Sequence, residues 1–239
     1  MIYRKVRSQE NGLTTCQFRI GESNIMISSD KPIKTIARKL LTQIRGNIKK
    51  YIQVHPEFSE SFSPITINRN APVIIRQMSK ASHSANVGPM AAIAGAIADE
   101  LGEGLSKYAA ELIIENGGDI FIKVKRQIII GLWCHNNEIK NNLGILLNKK
   151  RGHYSICTSS GTLGHSFSYG KADATTVIAK NAALADAWAT RLGNEIKSQK
   201  DIKKALSLLK NIKDVSGALV LYKKTIAAWG DIELTQITG

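Results

Sequence analysis

The stretch that decides the fold is an alanine-rich segment that occurs twice. Residues 182–193 are AALADAWATRLG, and residues 91–102 are AAIAGAIADELG. Seven of the twelve aligned positions are identical, five of them alanine, so the match is weak by itself. Internal similarity of this kind indicates a duplicated unit that presents one helix to a sheet. We therefore predict one domain made of two α+β halves, about 1–135 and 136–239.

Hairpins strengthen the prediction of a duplication. Apolar segments flank a basic turn at 121–132, through Lys125-Arg126, and again at 219–229, through Lys223-Lys224. Two apolar runs joined by a short polar turn are typical of a β-hairpin. Each alanine-rich segment would thus be followed by a hairpin with a basic turn.

Periodicity and turn residues predict the remaining elements. The extended segments are expected at Tyr3–Arg7, Leu13–Ile20 and Asn24–Ser28. The helices are expected at Pro32–Tyr51, 71–83 and Met90–Leu101, the last ended by Gly102. The first helix is long and amphipathic, so we expect it to pack on a sheet or across a homodimer.

Composition indicates a folded protein with an anionic partner. The chain has 239 residues, 43% of them hydrophobic and 22% charged, which excludes a mainly disordered, collagen-like or coiled-coil protein. Its 33 Lys and Arg against 19 Asp and Glu give a net charge of +14. Such a charge favours nucleic acid, acidic lipid or a phosphorylated small molecule. The basic runs are spread along the chain, which makes nucleic acid the less favoured of these.

The sequence predicts a soluble, cytoplasmic protein. The first residues are charged, and no apolar run approaches the roughly 20 residues that cross a bilayer. The chain has an odd number of cysteines, and they lie far apart in the sequence: Cys16, Cys134 and Cys157. This pattern does not predict a disulfide framework.

The densest polar stretch is 157–166, CTSSGTLGHS. Hydroxyl groups and glycine amides bind phosphate oxygens, because they donate hydrogen bonds and allow close approach. An ordinary surface loop has a similar composition. The stretch follows an apolar strand and contains a histidine, which favours a ligand site. The candidate ligand contacts are Thr158, Ser159, Ser160, Gly161 and His165.

The second candidate site lies on the helix predicted at 182–193. Asp186 and Thr190 are four residues apart and project from one face of otherwise small residues. A carboxylate and a hydroxyl suit Mg²⁺, which takes few protein oxygens and shares the rest with phosphate and water. A carboxylate that only caps a helix or forms a salt bridge would give the same sequence pattern.

The third candidate is the turn Asn116-Gly117-Gly118-Asp119, which follows an apolar strand. Two glycines let the backbone turn sharply and approach a ligand, although a plain hairpin explains them too. A zinc site at Cys134-His135 with His153 and Cys157 is not expected, because adjacent strand residues point to opposite faces.

In this order, the three motifs together with Gly88-Pro89-Met90-Ala91-Ala92 resemble those of the ApbE-like superfamily of flavin transferases. The resemblance runs from about Met78 to the C-terminus and is greater for an uncharacterised cytoplasmic branch, formerly described as thiamine-biosynthesis-like. It implies a duplicated α+β fold similar to the T-fold, with helices packed on antiparallel sheets. It also implies a ligand cleft where the two halves meet.

The resemblance further implies roles for the candidate residues. Asp186 and Thr190 would bind Mg²⁺, which would neutralise a pyrophosphate and support its cleavage as a Lewis acid. The residues of the polar stretch would contact a flavin nucleotide, and FMN would pass from FAD to a protein threonine. His165 and Asp186 are accordingly the candidate catalytic residues.

The chain also departs from the flavin transferases. Ser166–Lys171 replaces an Asp-Pro and Thr-Gly pattern, Ala94 stands where a lysine is usual, and an export signal is not evident. Two other functions stay open. One is an accessory role in cytoplasmic sulfur assimilation, of the homocysteine-type sulfur-transfer kind, with Cys157 handling sulfur; the other is nucleic-acid binding.

Overall fold

The computed structural model describes residues 12–132, 143–147, 153–160 and 170–237. The strands in this part of the chain are β1 Thr14–Ile20, β2 Ser23–Ser29, β3 Leu112–Asn116, β4 Asp119–Lys123, β5 Ile128–Gly131, β6 Leu143–Leu147, β7 His153–Ser159, β8 Ala174–Ala179, β9 Val215–Tyr222, β10 Thr225–Gly230 and β11 Glu233–Gln236. The α-helices are α1 Lys34–Val54, α2 Glu57–Glu60, α3 Val73–Ala85, α4 Ile93–Leu105, α5 Ala182–Glu195 and α6 Ile202–Ser207. The predicted segment Tyr3–Arg7 lies outside the described residues.

The described strands form two antiparallel sheets. The larger sheet has eight strands in the order β1-β2-β3-β4-β7-β8-β9-β10, and the smaller has the order β11-β6-β5. Every paired strand runs antiparallel to its neighbour. The predicted α+β class, with helices packed on antiparallel sheets, is confirmed.

Strands β3, β4, β7, β8 and β9 of the larger sheet contribute side chains to two separate cores, because successive residues point to opposite faces. Ile114, Phe121 and Cys157 belong to the core under the helices. Ile113 and Ile122 belong to the core that also contains residues of the smaller sheet. The position of a residue along a strand therefore decides whether its side chain reaches the helices.

One order of elements occurs twice. Strands β1 and β2 precede α1, α3 and α4, which are followed by β3 and β4; strands β7 and β8 precede α5 and α6, which are followed by β9 and β10. The two groups of four strands meet where β4 pairs with β7. This order fits a duplicated α+β unit, but the predicted boundary near residues 135 and 136 lies outside the described residues and stays a prediction.

The predicted hairpin at 121–132 is wrong. Strand β4 pairs with β3 through the turn at Gly117-Gly118, whereas β5 pairs with β6 in the other sheet. Glu111 redirects the chain: its carboxylate accepts a hydrogen bond from the backbone N–H of Lys125 at 2.9 Å and forms an ion pair with Arg126. The equivalent of the β3–β4 hairpin in the second half is the hairpin of β9 and β10, which pairs as predicted through Lys223-Lys224.

Each predicted helix is present, and α2 and α6 occur in addition. The first is amphipathic as expected and buries Ala37, Leu41, Ile44 and Ile48. Gly102, in contrast, does not end α4, which continues to Leu105. No described helix is long and apolar enough to cross a membrane.

The packing of α4 against β4 explains why a glycine lies inside the helix at position 102. A Cβ atom built on it would lie 2.5 Å from the ring of Phe121, so the helix approaches β4 more closely than a larger residue would allow. A glycine that looks like a helix end in the sequence is here a contact between a helix and a strand.

Candidate functional site

The first turns of α4 and α5 meet on the helix side of the larger sheet, and each is bound by a carboxylate from the other helix. Asp186 of α5 accepts a hydrogen bond from the backbone N–H of Gly95 at 3.0 Å. Asp99 of α4 accepts one from the backbone N–H of Ala183 at 2.9 Å. Negative charge at a helix N-terminus is favourable, because the first backbone N–H groups lack partners within the helix. Reciprocal capping thus joins the two alanine-rich segments.

The crossing of α4 and α5 requires a glycine at position 95. A Cβ atom there would lie 2.2 Å from the carbonyl oxygen of Ala182 and 2.9 Å from the Cβ of Asp186. The same carbonyl accepts a hydrogen bond from the Cys157 thiol at 3.2 Å. Close approach of the two backbones is therefore what brings the Asp186 carboxylate to the first turn of α4.

The β3–β4 hairpin supplies the next polar groups. Asn116 and Asp119 pair across the hairpin, and both side chains are buried. The side-chain amide of Asn116 donates a hydrogen bond to the carbonyl oxygen of Ala94 at 3.0 Å, which ties the turn to α4. Between them, Gly117 and Gly118 have φ angles of +65° and +108°, so the turn depends on glycine as predicted.

Asp186 lies close to two buried carboxyl groups, those of Asp119 and Asp99. Burial raises its pKa, and the negative charge of Asp119 raises that pKa further. The backbone N–H groups of Gly95 and Ala94 act in the opposite direction. Although protein atoms surround the carboxyl closely, Asp186 is only partly buried and keeps some accessible surface.

Asp99, 2% exposed, is the second buried carboxyl of the crossing. Burial raises its pKa from 3.8 to about 7, while hydrogen bonds from the N–H groups of Ala182 and Ala183 act to lower it. The Ser155 hydroxyl beside it also acts to lower the pKa. Asp99 therefore changes charge near neutral pH.

We expect the metal-free protein to lose stability as the pH rises from about 4 to about 7. The folded carboxyl of Asp99 keeps its proton to higher pH than the unfolded one, so the stabilisation is complete below the unfolded pKa and is lost through the folded pKa. A shift of about three units corresponds to roughly 4 kcal/mol. Asp99→Asn should make this decline smaller, as measured by urea unfolding at pH 5 and pH 8. The same decline in both proteins would contradict the assignment.

The polar stretch divides between two faces of the sheet. Thr158 lies on the face away from the helices, where its hydroxyl is 2.7 Å from that of Thr176. Ser159 follows Cys157 by two residues and therefore points to the helix side, and no described residue hydrogen-bonds its hydroxyl. The Ser160 hydroxyl donates to the carbonyl of Asp173 at 2.8 Å. Only Ser159 of these three presents its side chain on the face that carries Asp186.

The other predicted site residues lie on α5 or beyond the described residues. Thr190 is one turn after Asp186 and partly exposed, and its hydroxyl has no described hydrogen-bond partner. Gly161 and His165 lie outside the described residues, as do Cys134 and His135 of the rejected zinc site. Within the described part of the chain, no group of three or more His, Cys, Asp or Glu side chains is arranged to hold a metal ion.

Cys157 gives no support to a role in sulfur transfer. Its side chain is fully buried, and its thiol is engaged with the Ala182 carbonyl. A thiol that handles sulfur needs to be accessible and to have thiolate character. The alternative interpretation, a buried structural cysteine, fits the contact that its thiol makes with Ala182, the first residue of α5.

Sequence reasoning missed Gly95 and Asp99. The signal was present, because Gly95 and Asp99 align with Asp186 and Thr190 in the two alanine-rich segments, at the same spacing of four. A spacing of four places both members of each pair on one helix face. What the spacing could not reveal is that the two faces contact each other.

The fold is similar to those of several solved flavin transferases. A mutant form of the flavin transferase ApbE from Vibrio cholerae matches with a TM-score of 0.59 at 10% identity, covering 92% of this chain and 97% of that one. The apo flavinyl transferase ApbE of Pseudomonas stutzeri matches with a TM-score of 0.59 at 13% identity, covering 91% and 94%. At such low identity the likeness shows a shared fold.

Sequence comparison identifies the family. A UPF0280 protein of Methanococcus vannielii is 41% identical over 222 residues, covering 89% of each chain. A UPF0280 protein of Methanocaldococcus jannaschii is 40% identical over 219 residues, again covering 89% of each. The family model described as AbpE bacteria matches residues 4–223. The chain therefore belongs to the family described as AbpE bacteria and is related to the UPF0280 proteins.

Proposed function

We propose that the chain binds a flavin or another phosphorylated nucleotide together with Mg²⁺, at the crossing of α4 and α5, in the cytoplasm. Transfer of FMN from FAD is the activity that the fold of the solved flavin transferases supports. A basic chain with a net charge of +14 suits such an anionic ligand. Of the predicted contacts, Gly161 and His165 remain part of this proposal, whereas the side chains of Thr158 and Ser160 do not lie on the face that carries Asp186.

The observation that carries the proposal is the position of Asp186 beside Asp119. The negative charge of Asp119 raises the pKa of Asp186 at this crossing, and no described lysine, arginine or histidine is among the groups that shift the pKa of Asp186. A divalent cation would relieve this repulsion, and carboxylate oxygens are ligands that Mg²⁺ prefers. The donor set therefore fits a hard cation, which Asp186 would bind with Thr190 one turn further along α5.

The chain's own groups would position the ligand. The hydrogen bond from Gly95 fixes the orientation of Asp186 before anything binds. At Gly117 and Gly118, a built Cβ atom would meet no other atom within 4 Å, so a ligand can approach this turn. The Ser159 hydroxyl can donate a hydrogen bond to a ligand on the face of the sheet that carries Asp186. When bound, Mg²⁺ supplies a Lewis acid that neutralises the pyrophosphate of a nucleotide.

We expect FAD or FMN with Mg²⁺ to raise the melting temperature of the full chain. Ligands that bind only the folded state stabilise it by about 2.7 kcal/mol at 100 times Kd, which a thermal-shift assay detects. FAD, FMN, ATP and pyrophosphate should be compared, each with Mg²⁺ and with EDTA. Release of AMP from FAD would distinguish transfer chemistry from binding alone. If none of the four raises the melting temperature, the proposal is wrong.

A further inference from the structure

Strand β10 forms one edge of the larger sheet. Its inner side pairs with β9, starting at Thr225 opposite Tyr222 across the two-residue turn Lys223-Lys224. In an antiparallel hairpin, hydrogen-bonded and non-bonded pairs alternate from the closing pair onward. The N–H and C=O groups of Ile226 and Ala228 and the N–H of Gly230 therefore point outward, and these three are the exposed residues of the strand. The Gly230 carbonyl already accepts a hydrogen bond from the backbone N–H of Ile232 at 3.2 Å.

The outer edge of β10 carries little protection against pairing with another strand. No described strand pairs with it, and the strand TIAAWG contains neither a proline nor a charged residue. Ile226 is 43% exposed. Soluble proteins usually protect a sheet edge with a charge, a proline, a bulge or a covering segment. The opposite edge, β1, carries Arg19 within the strand.

The geometry of β10 is fixed in advance by its turn. The Asp173 carboxylate accepts a hydrogen bond from the backbone N–H of Lys223 at 2.5 Å. Lys223 has a φ angle of +52°, which this contact helps to maintain. The edge therefore offers main-chain donors and acceptors at Ile226 and Ala228 in the geometry of a regular strand.

We propose that β10 pairs with β10 of a second copy of this chain, antiparallel and about a two-fold axis at Ala228. This register places Ile226 of each copy opposite Gly230 of the other. The outward groups of the two copies would together form about four main-chain hydrogen bonds, two between the Ala228 residues and two from Gly230 N–H to the Ile226 carbonyl. Ala228 would lie opposite Ala228 of the second copy, and these small side chains permit close approach of the two strands. The inference is independent of the proposed nucleotide site.

Charge favours a second copy over an unrelated strand. Lys223 and Lys224 precede β10, whereas Asp231 and Glu233 follow it. Antiparallel pairing places the basic end of each copy beside the acidic end of the other, so the attraction occurs twice. Parallel pairing would bring like charges together, which is unfavourable. The strand is therefore self-complementary in one orientation.

The first test measures the mass of the full chain by sedimentation velocity over a range of concentrations. We expect a dimer whose dissociation constant rises about tenfold or more in Ala228→Pro, because proline removes an outward N–H and no bond to β9. Ala228→Ser, which keeps that N–H, should remain a dimer. A monomeric wild-type chain, or a proline variant that dimerises normally, would overturn the proposal.

The second test stays informative even if the proline variant fails to fold. One protein carries Lys223→Glu and Lys224→Glu; the other carries Asp231→Lys and Glu233→Lys. Each alone should be monomeric, because both ends of its strand then carry one sign of charge. Their equimolar mixture should form a heterodimer. Unchanged homodimers in both variants would show that another surface makes the contact, against the proposal.

Discussion

Gly95→Ala is expected to lower the free energy of unfolding by about 3 kcal/mol, the upper end of the usual cost of overpacking. The added methyl group would meet the carbonyl oxygen of Ala182 at 2.2 Å, and neither backbone can move aside without shifting a helix. The same displacement would weaken the hydrogen bond from Gly95 to Asp186. For a chain of this size, thermal unfolding should occur about 6–12 °C lower.

Gly46→Ala is the matched control for this prediction. Gly46 also lies inside a helix, but a Cβ atom built on it meets nothing within 4 Å. Alanine has the higher helix propensity, so this change should stabilise the protein by up to about 1 kcal/mol. Opposite signs at the two glycines would show that the crossing of α4 and α5 is the cause. Equal effects would contradict that explanation.

Asp186→Asn is expected to weaken Mg²⁺-dependent nucleotide binding by about 100-fold or more, beyond the range found for groups that only support metal ligands. Asparagine can still accept the hydrogen bond from Gly95, so the helix crossing should survive. What is lost is the negative charge next to Asp119. Calorimetric titration of FAD with Mg²⁺ and with EDTA would separate the metal-dependent part of the affinity.

Two further variants of α5 calibrate this result. Thr190→Val removes a hydroxyl at nearly constant volume and should weaken metal-dependent binding by about tenfold. Glu195→Gln alters another carboxylate on the same helix, one paired with Arg191, and should leave binding unchanged. If the Glu195 variant binds as weakly as the Asp186 variant, the site is elsewhere.

The sequence predicts those parts of the fold that depend on local patterns. The amphipathic pattern of α1, the turn at Gly117-Gly118 and the hairpin of β9 and β10 all depend on residues close together in the chain. The failed hairpin at 121–132 shows the limit. Its course is decided by Glu111, which binds the backbone and side chain of a turn 14 residues away.

The candidate site could be predicted only in part, for the same reason. Asp186 is recognisable in the sequence as a carboxylate among small residues, and Gly117-Gly118 is recognisable as a sharp turn. The contacts that define the crossing join residues 84 and 91 positions apart, between Asp99 and Ala183 and between Gly95 and Asp186. No local pattern specifies which helix end a carboxylate caps.

The central claim, a nucleotide-dependent metal site at Asp186, is tested most directly with Mn²⁺ in place of Mg²⁺. Mn²⁺ accepts the same oxygen ligands, and its free form is quantified by electron paramagnetic resonance. With saturating FAD, we expect the wild-type chain to take up one Mn²⁺, and Asp186→Asn to take up none beyond that bound by FAD alone. Equal uptake by the two proteins, or none by the wild type, would contradict the account.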